Sequence, residues 1–400
     1  MKKIISILFI LILISVVSYP VLAVDFSYGG QFDSYLERKN NNYNFANELK
    51  LKFDLGSFNY NGHLEGALIN QDSKFANLSQ FSPDNEVKLD KAYLDFWFAS
   101  GELKLGKQRI AWGSGYFFNP TDIINPLKED NKSEINPRQS TDSIFGSYYL
   151  GKGALQGVIV TDFQPLGPDN NDQAVEVARS INPALDGSVV LPQDFTDELE
   201  YGLRYTTVIN YYDFSLMYYQ GREDYPVVSA FESNNTPPEV IFSYPEKETF
   251  GLDLSGTLAG GEIGVWVEAA YTNPDIGHNY LQSIIGLDYT YQNGLHLLGE
   301  YYRDESLSNF IPGQEVKTKD FLGLESDYNL TDLLKITGSL LTPFNSDFYL
   351  LNGELNYSMA QNVELKAGFN QPINEEGTIF ENNDLFPAED NLYLELSYYF

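Results

Sequence analysis

Hydrophobic and polar residues alternate along most of this chain with a period of two. The segment 43–56 shows the pattern clearly, since its odd positions are mainly apolar and its even positions are mainly polar. The apolar set is Phe45, Leu49, Leu51, Phe53 and Leu55, and the opposing set is Ala46, Glu48, Lys50, Lys52 and Asp54. Successive side chains of a β-strand point to opposite faces, so this segment predicts a strand with one apolar and one polar surface.

About eighteen segments carry this strand pattern, and the connections between them alternate between short and long. The predicted strands are residues 25–37, 43–56, 57–70, 87–99, 101–111, 142–150, 153–162, 198–209, 210–221, 247–258, 261–272, 280–291, 294–304, 320–330, 331–342, 347–358, 361–371 and 390–400. Short connections such as Asn293-Gly294 supply the backbone angles that tight hairpins need. The long connections are 71–86, 111–141, 163–197, 222–246, 305–319 and 372–389. Short turns on one side and long loops on the other indicate an up-and-down antiparallel arrangement.

The two faces of these strands need an apolar medium on one side and a polar medium on the other. Most segments have the ten or so residues with which a tilted strand crosses a bilayer, where lipid outside and water inside supply both media. We therefore predict one all-β domain over residues 24–400, a transmembrane antiparallel β-barrel of about 16–18 strands, with 18 preferred. A barrel of that size can enclose an aqueous channel. The alternative is an acidic soluble β-protein with solvated polar faces.

The first residues of the chain predict export. Lys2 and Lys3 precede an apolar run over residues 4–17, and Val21-Leu22-Ala23 offers small side chains at a cleavage site. Residues 1–23 therefore form a predicted secretory signal peptide. The apolar run is shorter than the roughly 20 residues of a membrane-spanning helix. We expect strands to hold the mature chain in a bacterial outer membrane.

Composition narrows the range of partners. The chain has no Cys, which excludes disulfide scaffolds and cysteine-ligated metal sites. Its 29 Tyr and 27 Phe suit a protein that places aromatic rings at two membrane interfaces. A net charge of -31 excludes nucleic acid as a partner, and fits either acidic outer loops that bind divalent cations or a saline habitat. The sequence implies no cofactor, and outer-membrane lipid is the expected surrounding.

The last predicted strand ends on an aromatic residue. Its apolar face carries Leu392, Leu394, Leu396, Tyr398 and Phe400. This ending resembles the signal by which the bacterial barrel-assembly machinery recognises its substrates. The resemblance implies that Leu396, Tyr398 and Phe400 form an assembly signal and that this machinery is a partner.

The most distinctive local sequence is the segment 106–126, GKQRIAWGSGYFFNPTDIINP. It leaves a strand through Lys107, Gln108 and Arg109, continues through Trp112-Gly113, and ends in two Asn-Pro pairs. It resembles a segment of bacterial outer-membrane porins in which a Gly-Lys/Arg-Gln stretch, a Trp-Gly pair and an Asn-Pro/Asp segment follow one another. The likeness covers about twenty residues, and the strand layout extends a looser likeness to the mature chain. Trimers are common among porins, so the resemblance also allows a homotrimer.

The porin resemblance implies a role for residues 111–141, the third loop on the long-loop side when the connection 38–42 is counted as the first. In general porins this loop folds into the channel and narrows it. Loop carboxylates would then face basic residues of the barrel wall and create a transverse field that discriminates among ions. The candidate carboxylates are Asp122, Glu129, Asp130 and Glu134, and the candidate wall residues are Lys50, Lys52, Lys91, Lys104 and Arg204. The alternative is a loop that covers the barrel mouth with solvated charges.

We predict a passive diffusion channel for small hydrophilic solutes that prefers cations, because acidic residues predominate. One alternative is a specific sugar channel, for which Tyr93, Trp97 and Trp266 could line the lumen. Another is an adhesin or structural barrel that acts through its long loops. Catalysis is not expected, since none of the three histidines, His63, His278 and His296, stands in a pattern with a nucleophile.

Overall fold

Eighteen antiparallel strands close into one barrel, as the alternating pattern predicts. The computed structural model describes residues 25–39, 42–57, 60–71, 85–127, 138–164, 189–190, 199–224, 227–232, 239–258, 260–306, 318–344, 347–373 and 391–400. The predicted signal peptide, residues 1–23, lies outside this described part of the chain. No helix in the described ranges is long and apolar enough to cross a bilayer.

The barrel strands follow chain order around the wall, and their bounds lie close to the predicted ones. They are β1 (Asp25–Lys39), β2 (Asn42–Ser57), β3 (Tyr60–Gln71), β4 (Asn85–Phe98), β5 (Gly101–Gln108), β6 (Thr141–Leu150), β7 (Gly153–Val160), β9 (Glu200–Ile209), β10 (Tyr212–Arg222), β13 (Glu246–Leu258), β14 (Ile263–Pro274), β15 (Tyr280–Thr290), β16 (His296–Asp304), β17 (Lys319–Thr331), β18 (Leu334–Pro343), β19 (Tyr349–Ala360), β20 (Val363–Ile373) and β21 (Asn391–Tyr399). A separate sheet contains β8 (Val189–Val190), β11 (Val227–Glu232) and β12 (Glu239–Ser243).

The first and last strands join to close the barrel. β1 pairs with β2 on one side and antiparallel with β21 on the other, with Phe32 opposite Tyr398. The chain end extends this ladder, because the Gly30 N–H donates to the Phe400 carbonyl at 2.9 Å and the Phe400 N–H donates to the Gly30 carbonyl at 3.0 Å. Closure leaves neither strand with an unpaired edge, as a sheet inside lipid requires.

The outer face of the barrel is apolar and the inner face is polar. In β13, Phe250 is 55% exposed on the outside, whereas its neighbour Thr249 is 1% exposed. Further along the same strand, Leu252 is exposed on the outside and Asp253 is buried on the inside. In water an apolar surface of this extent would favour aggregation, whereas in a bilayer it contacts lipid. The prediction of a transmembrane barrel, rather than a soluble β-protein, is confirmed.

The small sheet was not predicted from the sequence. β11 and β12 form an antiparallel hairpin within the long connection 222–246, and β8, from the connection 163–197, pairs in parallel with β12. β8 has only two residues, so no alternating pattern marks it in the sequence.

Candidate channel lining and the loop inside the barrel

The connection after β5 runs along the inside of the barrel wall. We call its described part, residues 109–127, the inner loop. Glycines on the facing strands make room for it: a Cβ added to Gly202 of β9 would lie 2.8 Å from the Trp112 ring and 2.9 Å from Ile124. A Cβ on Gly323 of β17 would overlap the Phe117 ring. The inner loop therefore covers the inner face of the wall between β9 and β17.

Glu268 of β14 holds the middle of the inner loop. Its Oε1 accepts the backbone N–H groups of Ser114 and Gly115, the latter at 2.5 Å. Its Oε2 accepts the Thr121 N–H at 3.2 Å and the Thr121 hydroxyl at 2.9 Å. The chain can present these groups because Gly113 adopts a φ of 85°, a conformation that favours glycine. Both carboxylate oxygens of this buried side chain are thus saturated by loop donors.

Glu300 of β16 binds the next three residues of the inner loop in the same way. It accepts the backbone N–H groups of Tyr116 at 2.8 Å, Phe117 at 3.1 Å and Phe118 at 2.8 Å. The indole N–H of Trp266 donates to Glu300 Oε2 at 2.7 Å, which completes its set of donors. Successive backbone N–H groups that converge on one anion form a concave binding site for negative charge, filled here by the wall itself.

Apolar contacts reinforce these hydrogen bonds. The Phe118 ring stacks on Tyr302 with centroids 4.2 Å apart and lies 5.6 Å from the Phe321 ring. At the other end of the loop, Trp112 and Ile124 are each 1% exposed. Burial of one such side chain stabilises a fold by about 1.5–3 kcal/mol, so the loop is bound to the wall by packing as well as by polar contacts.

An ion pair fixes the base of the inner loop. The Arg109 guanidinium binds both carboxylate oxygens of Asp122, one of them at 2.9 Å, and donates to Asn125 Oδ1 at 2.9 Å. Asn125 Oδ1 also accepts the Ile110 N–H at 2.8 Å. These contacts fold the start of the loop back onto its end, and Asp122 meets Arg109 of its own loop rather than a basic residue of the wall.

The chain returns to β6 through Arg138. Its guanidinium donates to the Asn125 carbonyl at 2.9 Å and to Asp224 Oδ2 at 3.2 Å. Asp224 follows β10, and burial raises the pKa of its carboxyl, while Lys247 and Arg138 oppose that shift. Arg138 thus links the end of the inner loop to the connection that follows β10.

The predicted basic wall residues lie on the polar face and are paired with neighbouring carboxylates. The nearest contacts are Lys50 with Asp33 at 3.3 Å, Lys52 with Asp54 at 3.6 Å, Lys91 with Glu65 at 3.0 Å, Lys104 with Glu102 at 3.4 Å, and Arg204 with Asp253 at 2.9 Å. Arg204 also lies over the Trp112 ring, 6.0 Å from its centroid. The other predicted loop carboxylates, Glu129, Asp130 and Glu134, fall outside the described residues.

Most of the aromatic and histidine residues that the sequence singled out lie on strands of the barrel wall. Tyr93 lies against His63, with ring centroids 5.1 Å apart, Trp266 bonds Glu300, and Trp97 is half-exposed. His63 lies between Asp54 at 2.6 Å and Glu65 at 3.3 Å, and His296 lies between Asp327 at 2.7 Å and Asp288 at 3.0 Å. Within the described ranges, no group of three or more His, Asp or Glu side chains is arranged to hold a metal ion.

Sequence reasoning missed Glu268 and Glu300. Each sits at an inward position of its strand, where the alternating pattern gives it the same appearance as any lumen-facing charge. One signal was available: Glu268 follows the apolar run Val265-Trp266-Val267, which sets it apart from the polar inner faces elsewhere. The donors that bind it lie about 150 residues earlier, beyond any local pattern.

Comparison with known proteins bears on the architecture. No protein-family profile matches the chain, and neither does any curated protein sequence. Among solved structures, Pseudomonas aeruginosa OpdK with vanillate superposes with a TM-score of 0.58 at 11% identity, covering 94% of this chain and 98% of that one. P. aeruginosa OpdQ gives 0.57 at 10% identity over 95% and 99% of the two chains, and OprD of the same organism gives 0.55 at 10% over 94% and 95%. At these identities the likeness establishes the fold: the chain is a closed eighteen-strand β-barrel of the kind found in outer-membrane porins.

Proposed function

We propose that this protein is a bacterial outer-membrane channel, not an enzyme, through which small hydrophilic solutes diffuse passively. The observation that carries the proposal is a set of charged, water-exposed side chains inside a barrel whose outside is apolar. Among these inner residues, the side chains of Lys50 and Lys52 are 41% and 53% exposed. Eighteen strands enclose a bore wide enough for water and small solutes to cross.

The inner loop forms the narrow part of this channel. It covers the wall from β9 to β17, so solutes pass between the loop and the facing strands β1–β4 and β19–β21. Tyr116 marks the solute-facing side, because it is 53% exposed while its neighbours Phe117 and Phe118 are buried. Its hydroxyl donates to Glu325 of β17, which holds the ring beside the passage.

The channel prefers cations, because carboxylates outnumber bases on the facing wall. Among the side chains described on the inner faces of β1–β4 and β19–β21, the carboxylates include Asp33, Glu37, Glu48, Asp54, Glu65, Asp95, Glu354, Glu364 and Glu395. The bases on the same faces are Lys50, Lys52, Lys88, Lys91 and Lys366. An excess of fixed negative charge raises the local concentration of cations and lowers that of anions.

The C-terminal strand supports the proposed contact with the assembly machinery. Leu396, Tyr398 and Phe400 lie on the outer face and are all exposed there. These side chains are therefore accessible to another protein before lipid surrounds the barrel. A homotrimer, which the sequence also allows, stays a prediction.

Planar-bilayer recording of the purified protein tests the channel. We expect steady conductance and, under a salt gradient, a reversal potential of the sign that cation permeation produces. No conductance would favour the adhesin alternative, and an anion-selective current would contradict the charge argument. Block of the current by one sugar at low concentration would favour the specific sugar channel.

A further inference from the structure

We propose that Glu268 and Glu300 are positioning residues that set the width of the passage, by holding the inner loop against the barrel wall as charged hydrogen-bond acceptors. This inference rests on the proposed constriction and assigns it to two wall residues outside the loop. We call these two carboxylates and the loop donors that they bind the latch.

The latch needs carboxylates and not merely polar side chains. Glu268 accepts four hydrogen bonds and Glu300 another four, and all of the donors are N–H or O–H groups. An ionised carboxylate has two accepting oxygens with about four lone-pair sites, which matches this demand. A glutamine of the same shape has one accepting oxygen, and its NH₂ group would point at other donors.

The charge of each carboxylate is balanced by hydrogen bonds alone. Within the described part of the chain, neither Glu268 nor Glu300 forms an ion pair with Lys or Arg, although both are buried. Hydrogen bonds to a buried anion are stronger than those between neutral groups. The loop donors and the wall anions therefore depend on each other, and separating them would break the hydrogen bonds of the loop to both anions.

The position of the latch connects it to the passage. The base of the inner loop is fixed separately, through Arg109, Asp122 and Asn125. Residues 114–121 between these fixed points are the part that the latch holds, and they include the exposed Tyr116. Release of the latch would therefore move Tyr116 and its neighbours without detaching the ends of the loop.

A thiol at residue 114 can report on the latch. Among the described residues the buried Ser114 hydroxyl has no hydrogen-bond partner, and the natural chain has no cysteine, so Ser114→Cys gives one buried thiol. Its rate of modification by a charged methanethiosulfonate reagent measures how often the loop leaves the wall.

In this background we compare Glu268→Gln, Glu300→Gln and the control Glu354→Gln. Glu354 faces the lumen from β19 and its described bond is to Tyr393, so the control removes the same charge away from the loop.

We expect each latch variant to speed modification about tenfold or more, because loss of one hydrogen bond to a buried charge shifts an opening equilibrium by that factor. Single-channel conductance should change in the same variants, with added current noise, while Glu354→Gln should shift ion selectivity only and keep the slow modification without added noise. Thr121→Val is a milder variant that removes the hydroxyl donor to Glu268 and its longer contact to Asn119 Oδ1 at 3.4 Å, and it should give a smaller increase in rate.

The possible outcomes test the latch and the proposed channel function separately. Unchanged modification rates in both glutamine variants and in Thr121→Val would overturn the latch. Faster modification at unchanged conductance would overturn the claim that the latch sets the width of the passage. A parent protein that carries no current would instead overturn the proposed function, and the modification rates would still report on the latch.

Discussion

The ring of the terminal residue, Phe400, lies directly over Gly30 on the outer face of the barrel. A Cβ added to Gly30 would be 2.5 Å from the Phe400 ring and 2.6 Å from the Lys50 carbonyl oxygen. The two residues also exchange both backbone hydrogen bonds. The junction between the first and last strands thus depends on a side chain at one residue and on the lack of a side chain at the other.

Gly30→Val should weaken closure of the barrel. The added methyl groups would displace the Phe400 ring and strain the backbone bonds, at a cost of about 1–3 kcal/mol. We expect a lower thermal unfolding midpoint in detergent, measured from the loss of the folded form's faster migration on unheated gels. Gly157→Val is the matched control, since a Cβ at Gly157 of β7 meets no atom within 4 Å. A midpoint for Gly30→Val equal to that of the control would contradict this role.

Gly323→Val should disturb the inner loop while leaving the barrel closed. Any side chain at this position of β17 would overlap the Phe117 ring, so the loop must move toward the lumen. We expect altered single-channel conductance with little change in the thermal midpoint. Gly338→Ala of β18 serves as the control, because its Cβ would have its nearest contact at 3.9 Å. Conductance unchanged by Gly323→Val would argue against a loop that borders the passage.

The ion pair at the base of the loop should contribute more than the exposed pairs of the wall. Asp122 is buried, and its loss would leave Arg109 without its carboxylate partner. Asp122→Ala should cost about 1.5–3 kcal/mol, the usual value for a hydrogen bond to a charged group. Lys52→Ala breaks a pair 3.6 Å long whose lysine is 53% exposed, so it should cost less than about 1 kcal/mol. Urea unfolding of the protein in detergent micelles compares the two, and equal losses would contradict the ranking.

The strands could be predicted from the sequence because their signal is local. Each strand of the barrel faces lipid on one side, so alternation within ten residues is sufficient to place Phe250 outside and Thr249 inside. The inner loop was partly predictable: its position after β5, by resemblance to porins, allowed a segment that enters the lumen beside the alternative of a loop that covers the barrel mouth. Its contacts were not, because the partners of Ser114 and Phe118 lie on β14 and β16, far along the chain.

The same limit explains why the partners of the charged residues could not be predicted from the sequence. The porin resemblance implied, beside the alternative of a loop with solvated charges, that loop carboxylates such as Asp122 would face the basic residues of the wall. In the structure Asp122 binds Arg109, and Lys50 binds Asp33 of the adjacent strand. Each of these side chains pairs with an opposite charge that the backbone already holds close to it, because ordering a more distant side chain would cost conformational entropy. Strand register determines these neighbours, and the pattern of residue types does not specify it.

Selectivity should respond in opposite directions to the two members of one wall pair. Glu395 of β21 and Lys366 of β20 face each other on the inner surface with N and O atoms 3.8 Å apart. Both side chains are partly exposed, so each contributes to the field in the lumen while the pair contributes little to stability. Glu395→Gln removes a negative charge and should move the reversal potential toward anion permeation. Lys366→Gln removes a positive charge and should move the reversal potential further toward cation permeation.

The shifts should shrink as ionic strength rises, because salt at about 1 M screens charges beyond about 3 Å. Shifts of the same sign in both variants would mean that selectivity arises elsewhere in the channel.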